Sequence, residues 1–315
     1  FQIQQETNRS GETDFSDGTA PSSLSEERIA WKQDCFQILD CRNNARCVEH
    51  SNAKASIVER LVVLGAGESG VGAALLGQKE RWDVFVSDRG KIREEYRDVL
   101  LNHDIEFEEN GHSIESILTA DLVVKSPGIP DDISLIQQLR EEDIDVISEI
   151  EFAGRYSKAK FIGITGTNGK TTTASLTYHI LKSAGINVGL AGNIGKSLAR
   201  LIAEEKEFDW VVLEVSSFQL DGMYDFKCDI AILLNITEDH LDRYDNSMLK
   251  YPKSKIRIAQ NQTDEDWFIY NQDDAQTAHV LDLIESKGKR IPISIENKIE
   301  GEGAFKDFNQ LNINL

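Results

Sequence analysis

The chain has 315 residues, with 34 Lys and Arg against 54 Asp and Glu, so its formal net charge is −20. At roughly 150 residues per domain this length holds about two domains and two buried cores. The acidic balance argues against nonspecific binding to nucleic acid or an anionic membrane, because the protein's own field repels phosphates, and any phosphate ligand needs a local site. No window approaches about 18 apolar residues and no apolar h-region follows a basic start, so neither a membrane span nor a secretory signal is expected, and a soluble, cytoplasmic protein is. The sequence opens at Phe1 and its only methionines are Met223 and Met248, which reads as a fragment of a longer chain.

Residues 1–58 show no sustained hydrophobic period. The stretch from Gln2 to Ser25 is rich in Gln, Ser, Thr, Gly and acidic residues, so it cannot offset its ordering entropy by burial, and the segment reads as a disordered or unrelated extension. A short amphipathic helix fits Glu26 to Leu39. Cys35, Cys41 and Cys47 with His50 match none of the short paired spacings of zinc sites and read as incidental thiols, while Cys228 stands alone in an apolar strand.

At Leu61-Val62-Val63-Leu64 the character changes to the continuous apolar run of a buried parallel strand, followed by glycines and a helical pattern through Leu75 and Leu76. Further strands are predicted at 83–88 and 121–124, the latter ending in Lys125-Ser126-Pro127-Gly128-Ile129-Pro130. This first unit ends near Ile150. The pattern restarts at Lys160 to Ile164, with strands at 210–213, 230–234 and 267–270, helices over 172–184 and 197–206, and short strands after Ile291. Strands alternating with helices predict an α/β fold with parallel sheets covered on both faces.

Two glycine clusters carry the chemistry. Gly65-Ala66-Gly67-Glu68-Ser69-Gly70 fits G-x-G-x-x-G between a strand and a helix, with Asp88 ending the next strand. Such a turn brings backbone N–H groups and a helix N-terminus to a diphosphate; in isolation it would suggest NAD and an oxidoreductase, but it indicates a diphosphate more securely than a nicotinamide. Ile164 to Thr172 holds Thr167, Asn168, Gly169, Lys170, Thr171 and Thr172, where Gly169-Lys170-Thr171 offers amides and an ammonium for a triphosphate and a hydroxyl for Mg²⁺. It departs from the strict P-loop in having Ile164 where that pattern wants glycine. Downstream, Glu214 and the string Asn235 to His240 follow apolar strands, where open α/β sheets place their ligands, and a carboxylate and an imidazole there suit Mg²⁺. His103, His112, His179 and His279 have no such company.

The P-loop string, Glu214 with Ser216-Ser217-Phe218-Gln219-Leu220, the run Asn235 to Tyr244, and Lys255-Ile256-Arg257 together resemble the Mur ligases from about residue 59 onward. The Ser-Ser-Phe-Gln-Leu and Thr-Glu-Asp-His-Leu-Asp-Arg-Tyr strings are most similar to the member that adds D-glutamate. The resemblance implies a Rossmann-like domain over 59–150 and a P-loop central domain over 151–315. It also implies an ATP-dependent, Mg²⁺-requiring amide ligase of peptidoglycan precursor synthesis, monomeric and cytoplasmic, that joins D-glutamate to UDP-N-acetylmuramoyl-L-alanine through an acyl phosphate. Lys170 would meet the β and γ phosphates, Thr171 and Glu214 one Mg²⁺, and His240 a second; Lys255 matches the lysine that the family carbamylates into a metal ligand. Asn271 would meet adenine. Asn193, Ser216 and Gln219 would contact the muramoyl substrate, and Gly65, Gly67, Ser69, Gly70, Asp88, Arg89, Ser126, Pro127 and Gly128 would hold its UDP. Family members carry a third, glutamate-holding domain of about 130 to 150 residues. The chain stops before it and lacks the Leu-x-Gly-x-His-Asn string, so the fragment is expected to bind UDP-muramoyl-alanine without completing the amide. The competing readings are another Mur ligase or a folylpolyglutamate synthase, an NAD-dependent dehydrogenase, and a non-catalytic nucleotide-binding remnant.

Overall fold

The computed structural model describes residues 58–204, 207–237, 250–284 and 286–294. The cysteine cluster at 35–47, the helix proposed for 26–39, His240 and the rest of the 238–249 string lie outside them, as does the chain beyond residue 294.

The first sheet contains β1 (Arg60–Leu64), β2 (Asp83–Ser87), β3 (Glu106–Glu108), β4 (Leu122–Lys125) and β5 (Asp145–Ser148), in spatial order β3-β2-β1-β4-β5. Every pairing is parallel. The helices of this part are α1 (Glu68–Lys79), α2 (Glu94–Asn102), α3 (Ile114–Ile117), α4 (Ser134–Glu141) and α5 (Glu149–Gly154). Leu61, Val62, Val63 and Leu64 are all fully buried, as a strand covered on both faces requires.

The second sheet contains β6 (Lys160–Thr165), β7 (Val188–Gly192), β8 (Trp210–Glu214), β9 (Ile230–Leu233), β10 (Trp267–Asn271) and β11 (Lys289–Ile293), ordered β11-β10-β9-β6-β8-β7 and again parallel throughout. Its helices are α6 (Lys170–Ser183), α7 (Leu198–Glu204), α8 (Ser217–Asp221), α9 (Lys250–Ile256) and α10 (Ala275–Val280). Cys228 lies just ahead of β9 rather than in a strand. Its thiol packs where a Cβ on Gly163 would sit, and burial pushes its pKa up to about 12, so it is an inert filler.

The strand orders determine where ligands can sit. In the first sheet the chain reverses direction across β1 and β4, so the loops after those strands flank a crevice; in the second it reverses about β6, with β8 and β9 on either side. The length leaves room for two buried cores, and each sheet has a cluster of its own over Val62, Leu64 and Val123 or over Ile162, Ile164 and Val212. The largest apolar cluster among the described residues spans both sheets, from Leu61 and Val63 through Val71 and Ala74 of α1 to Leu198 and Leu201 of α7 and on to Val211 and Leu213 of β8. Two small residues permit this, since a side chain on Gly72 would strike Ser197 Oγ and the Arg200 backbone, and Ala74 is fully buried.

The seam also buries Glu149 at the start of α5. One carboxylate oxygen accepts from the Ala199 amide; the other is buried with no hydrogen-bond partner. Desolvation, with the nearby Glu68 charge adding to it, raises this carboxyl from 4.5 to about 7. The folded pKa lies above the unfolded value, so the stabilisation is complete below pH 4.5 and is lost as pH rises through about 7. Glu149→Gln is therefore expected to match the parent near pH 4.5 and to exceed it at pH 8 by on the order of 3 kcal/mol at most, as urea unfolding at the two pH values would show. A difference independent of pH would contradict this.

Candidate functional site

The second glycine cluster follows β6 and opens α6. Gly169, at φ 84°, makes the left-handed turn that lets the helix begin at Lys170. The loop is braced by Asn235, which follows β9: its side chain accepts from the Asn168 amide at 2.9 Å and donates to the Asn168 carbonyl at 3.0 Å, while its own carbonyl accepts from the Thr167 amide at 3.0 Å. Thr167 Oγ1 accepts from the Thr237 amide at 2.9 Å and lies 3.2 Å from the Tyr251 hydroxyl. Lys170 Nζ folds back on the loop, donating to the carbonyls of Gly166 and Thr167, both at 2.9 Å. Lys255 in α9, only 2% exposed, donates to the same Gly166 carbonyl at 3.0 Å and lies over the Tyr251 ring. Thr172 is exposed on the first turn of α6.

Glu214 ends β8 beside this loop and is 1% exposed. Thr171 Oγ1 donates to its Oε2 at 2.8 Å and Asn193 Nδ2 to its Oε1 at 2.9 Å. The Asn193 amide also binds the Glu214 carbonyl at 2.8 Å. That close approach needs glycine before it: Gly192 has φ 108°, and a Cβ there would collide with the Glu214 carbonyl. A buried carboxylate held by neutral donors is short of positive charge. Together with the Thr171 hydroxyl it offers the hard oxygen donors that Mg²⁺ prefers, so the residues present fit that ion.

Next to the loop, Ile232, Leu234, Ile269, Tyr270, Asn271 and Ile293 line a cleft of about 230 Å³ at the C-terminal ends of β9, β10 and β11. Leu234 joins the cleft to the phosphate loop, since its side chain lies against the Cβ positions of both Gly166 and Gly169. Asn271 accepts the Asp273 amide at the rim.

In the first sheet, Gly65 turns at φ 90° after β1, close against Ser126 Oγ, and a side chain at Gly70 would strike the Gly65 carbonyl. Asp88 fastens this loop, accepting from the Ala66 amide at 2.7 Å and the Gly90 amide at 2.8 Å. Ser126 Oγ donates to the Gly65 carbonyl at 3.3 Å, so the Ser126-Pro127-Gly128 turn and the Gly65-Gly67-Ser69-Gly70 loop flank the β1–β4 crevice together. Arg89 is exposed beside it.

Two residues expected to contact substrate also have a structural role. Ser216 and Gln219 form a capping box on α8: Gln219 Oε1 accepts from the Ser216 amide and hydroxyl, both at 2.9 Å, and Ser216 Oγ accepts from the Gln219 amide at 3.3 Å. Asn193, likewise expected at the muramoyl substrate, has its side-chain amide on Glu214. Asn235 was visible as part of a polar string, but its bracing of the phosphate loop was not, because that depends on β6 and β9 being neighbours.

A P-loop-like glycine turn facing a buried carboxylate in one parallel sheet, with a second glycine-rich turn after the first strand of another, defines an α/β protein of two parallel sheets with glycine turns at their strand ends. The sequence pattern of the Mur ligase middle domain matches residues 164–314, and that of the MurD N-terminal domain matches residues 60–135. The UDP-N-acetylmuramoylalanine--D-glutamate ligase of Bacteroides fragilis is 56% identical over 254 residues, 81% of this chain and 57% of that protein. That of Christiangramia forsetii is 53% identical over 247 residues, 78% of this chain and 55% of that protein. The crystal structure of UDP-N-acetylmuramate:L-alanyl-gamma-D-glutamyl-meso-diaminopimelate ligase from Neisseria meningitides shares the fold at TM-score 0.55 and 18% identity, covering 75% of this chain and 78% of that one. The chain belongs to the Mur ligase family. It spans a little over half the length of these curated relatives. Among the described residues, no helix is long and apolar enough to cross a membrane.

The Gly192 geometry is directly testable. Gly192→Ala combines a left-handed φ with a collision against the Glu214 carbonyl, so it should lower unfolding stability by at least about 1–3 kcal/mol. Calorimetry showing an unaltered melting temperature would refute the close approach.

Proposed function

We propose that this chain carries the UDP-substrate and ATP sites of a cytoplasmic, ADP-forming amide ligase that joins D-glutamate to UDP-N-acetylmuramoyl-L-alanine. The observation that carries the reading is the Thr171–Glu214–Asn193 constellation facing Lys170 across the phosphate loop. The D-glutamate specificity is supported by the names of the relatives at 56% and 53% identity.

In this reading the diphosphate of the UDP substrate lies on the amides after β1, with Asp88 holding that loop in shape and the turn at 126–128 closing the crevice. The triphosphate lies on the loop 167–171, its base in the cleft beside Asn271. The Lys170 ammonium, released from the Gly166 and Thr167 carbonyls, turns to the β and γ oxygens and offsets charge there. The substrate carboxylate attacks the γ-phosphorus, ADP leaves, and the acyl phosphate formed is opened by the amine of D-glutamate with loss of phosphate. Thr171 and Glu214 would hold Mg²⁺, which when bound neutralises phosphate charge; the family pattern adds His240, outside the described residues. Lys255 and Lys170 place two ammonium groups on one carbonyl. Carbamylation of Lys255 would relieve that like-charge contact and supply a further anionic oxygen ligand. The chain's charge of −20 is no obstacle, since the phosphates meet amides, Lys170 and Mg²⁺ locally.

Calorimetric titration of Mg·ATP into the chain and its Lys170→Ala variant tests the triphosphate site. Loss of a charge-assisted contact should weaken binding by roughly 10- to 100-fold. Equal binding would remove the assignment. In a parallel titration UDP should compete at the first glycine loop where NADH does not, and the reverse order would point to a dehydrogenase.

A further inference from the structure

The two phosphate loops are physically joined, and the joint runs through Glu68, which no motif marks. Glu68 is the first residue of α1, inside the first glycine loop, yet its side chain turns away toward the second sheet. Its Oε1 accepts from the Ser197 amide at 3.1 Å and its Oε2 from Arg200 at 2.9 Å, while its backbone carbonyl accepts from Ser197 Oγ at 3.3 Å. Arg200 is held in turn by Glu204 at 2.6 Å. Ser197 ends the loop that begins at Gly192, and the other end of that loop is Asn193 on Glu214. One short segment, 192–197, is thus fastened to the first glycine loop at one end and to the carboxylate of the phosphate-transfer site at the other.

The remaining contacts remove the freedom of this segment to slide. Gly192 donates its amide to the Lys196 carbonyl at 3.1 Å, which closes the loop on itself. Glu149 accepts from the Ala199 amide on the α5 side. At the far end of the helix pair, Lys79 of α1 donates to the carbonyls of Ile202 and Ala203 in α7 at 2.7 and 3.2 Å. Helices α1 and α7 are therefore fixed at both ends, with Gly72 letting them touch between.

We propose that Glu68 is a positioning residue that sets the register between the two phosphate loops, so that occupancy of one is felt at the other through residues 192–197. The inference rests on the two-site reading above. A substrate whose diphosphate sits on the first loop must deliver its carboxylate to the γ-phosphate on the second, and a displacement of about 1 Å between the sites can cost on the order of 100-fold in rate. Glu68, Ser197 and Arg200 touch neither nucleotide in this arrangement; they act through Asn193 and Glu214 on one side and through the start of α1 on the other.

The test is linkage between two simple probes, UDP and Mg·ADP, measured by calorimetry on the chain, first singly and then with the other probe saturating. The parent should bind UDP about fivefold more tightly when Mg·ADP is present, with the reciprocal effect of equal size. Arg200→Met, which removes a partner of Glu68 without touching either loop, should bring that factor below about twofold while each probe alone binds within about twofold of the parent. Arg200→Lys should restore part of the linkage. A merely structural role would lower the melting temperature and weaken both probes singly without altering their ratio. Independent binding of both probes in the parent overturns the proposal alone; failure of either probe to bind by itself overturns the two-site reading beneath it, and the proposal with it.

Discussion

The buried carboxylate of Glu214 is the constraint from which the second sheet can be understood. An ionisable group that is 1% exposed must be given hydrogen bonds or a counter-charge, and here its two oxygens are served from two different connections. Thr171 comes from the helix after β6 and Asn193 from the turn after β7, and β8 lies between those strands. The strand order brings those donors around one side chain, and the left-handed Gly192 and the start of α6 at Lys170 place them against it. What the donors do not supply is positive charge, and that deficit supports the proposed Mg²⁺ site.

Polar contacts that shape the loops fall into two kinds. Asp88 in the first sheet and Asn235 in the second each use a side chain to hold neighbouring loop backbone in position, leaving other amides of the loops for a ligand. Glu149 belongs to the other kind. It lies in the apolar seam between α5 and α7 with one oxygen lacking a partner, and burial raises its carboxyl from 4.5 to about 7. Glu68 and Arg200 lie beside the same seam, where Glu68 accepts from Ser197 and Arg200.

Much of this was legible in the sequence because the relevant signals are local. Leu61 to Leu64 reads as a buried parallel strand from its unbroken apolar run and Lys160 to Ile164 as the strand that restarts the pattern, and the glycine loops are placed by their position between strand and helix. What escaped was set by tertiary neighbours. No spacing rule ties Asn235 to Asn168, Asn193 to Glu214 or Glu68 to Arg200, since each pair meets only after the strands have ordered themselves. Ser216 and Gln219 show the opposite case. Their Ser-x-x-Gln spacing is a local capping signature, and reading them first as substrate contacts passed over a structural role that the sequence itself displayed. Cys228 reads as a strand residue from its apolar neighbours, but the strand begins only at Ile230, just after Asp229 has accepted the Phe161 amide at 2.8 Å.

The proposed function depends most on Glu214 being a cation ligand rather than a structural hydrogen-bond acceptor. Electron paramagnetic resonance of Mn²⁺, titrated with ADP into the parent chain and into Glu214→Gln, separates the two. An isosteric amide keeps an oxygen for Thr171 or Asn193 but loses the negative charge, so the account predicts ADP-dependent Mn²⁺ uptake that weakens by at least about tenfold in the variant while the fold survives. Mn²⁺ binding of equal strength in the two proteins would contradict it.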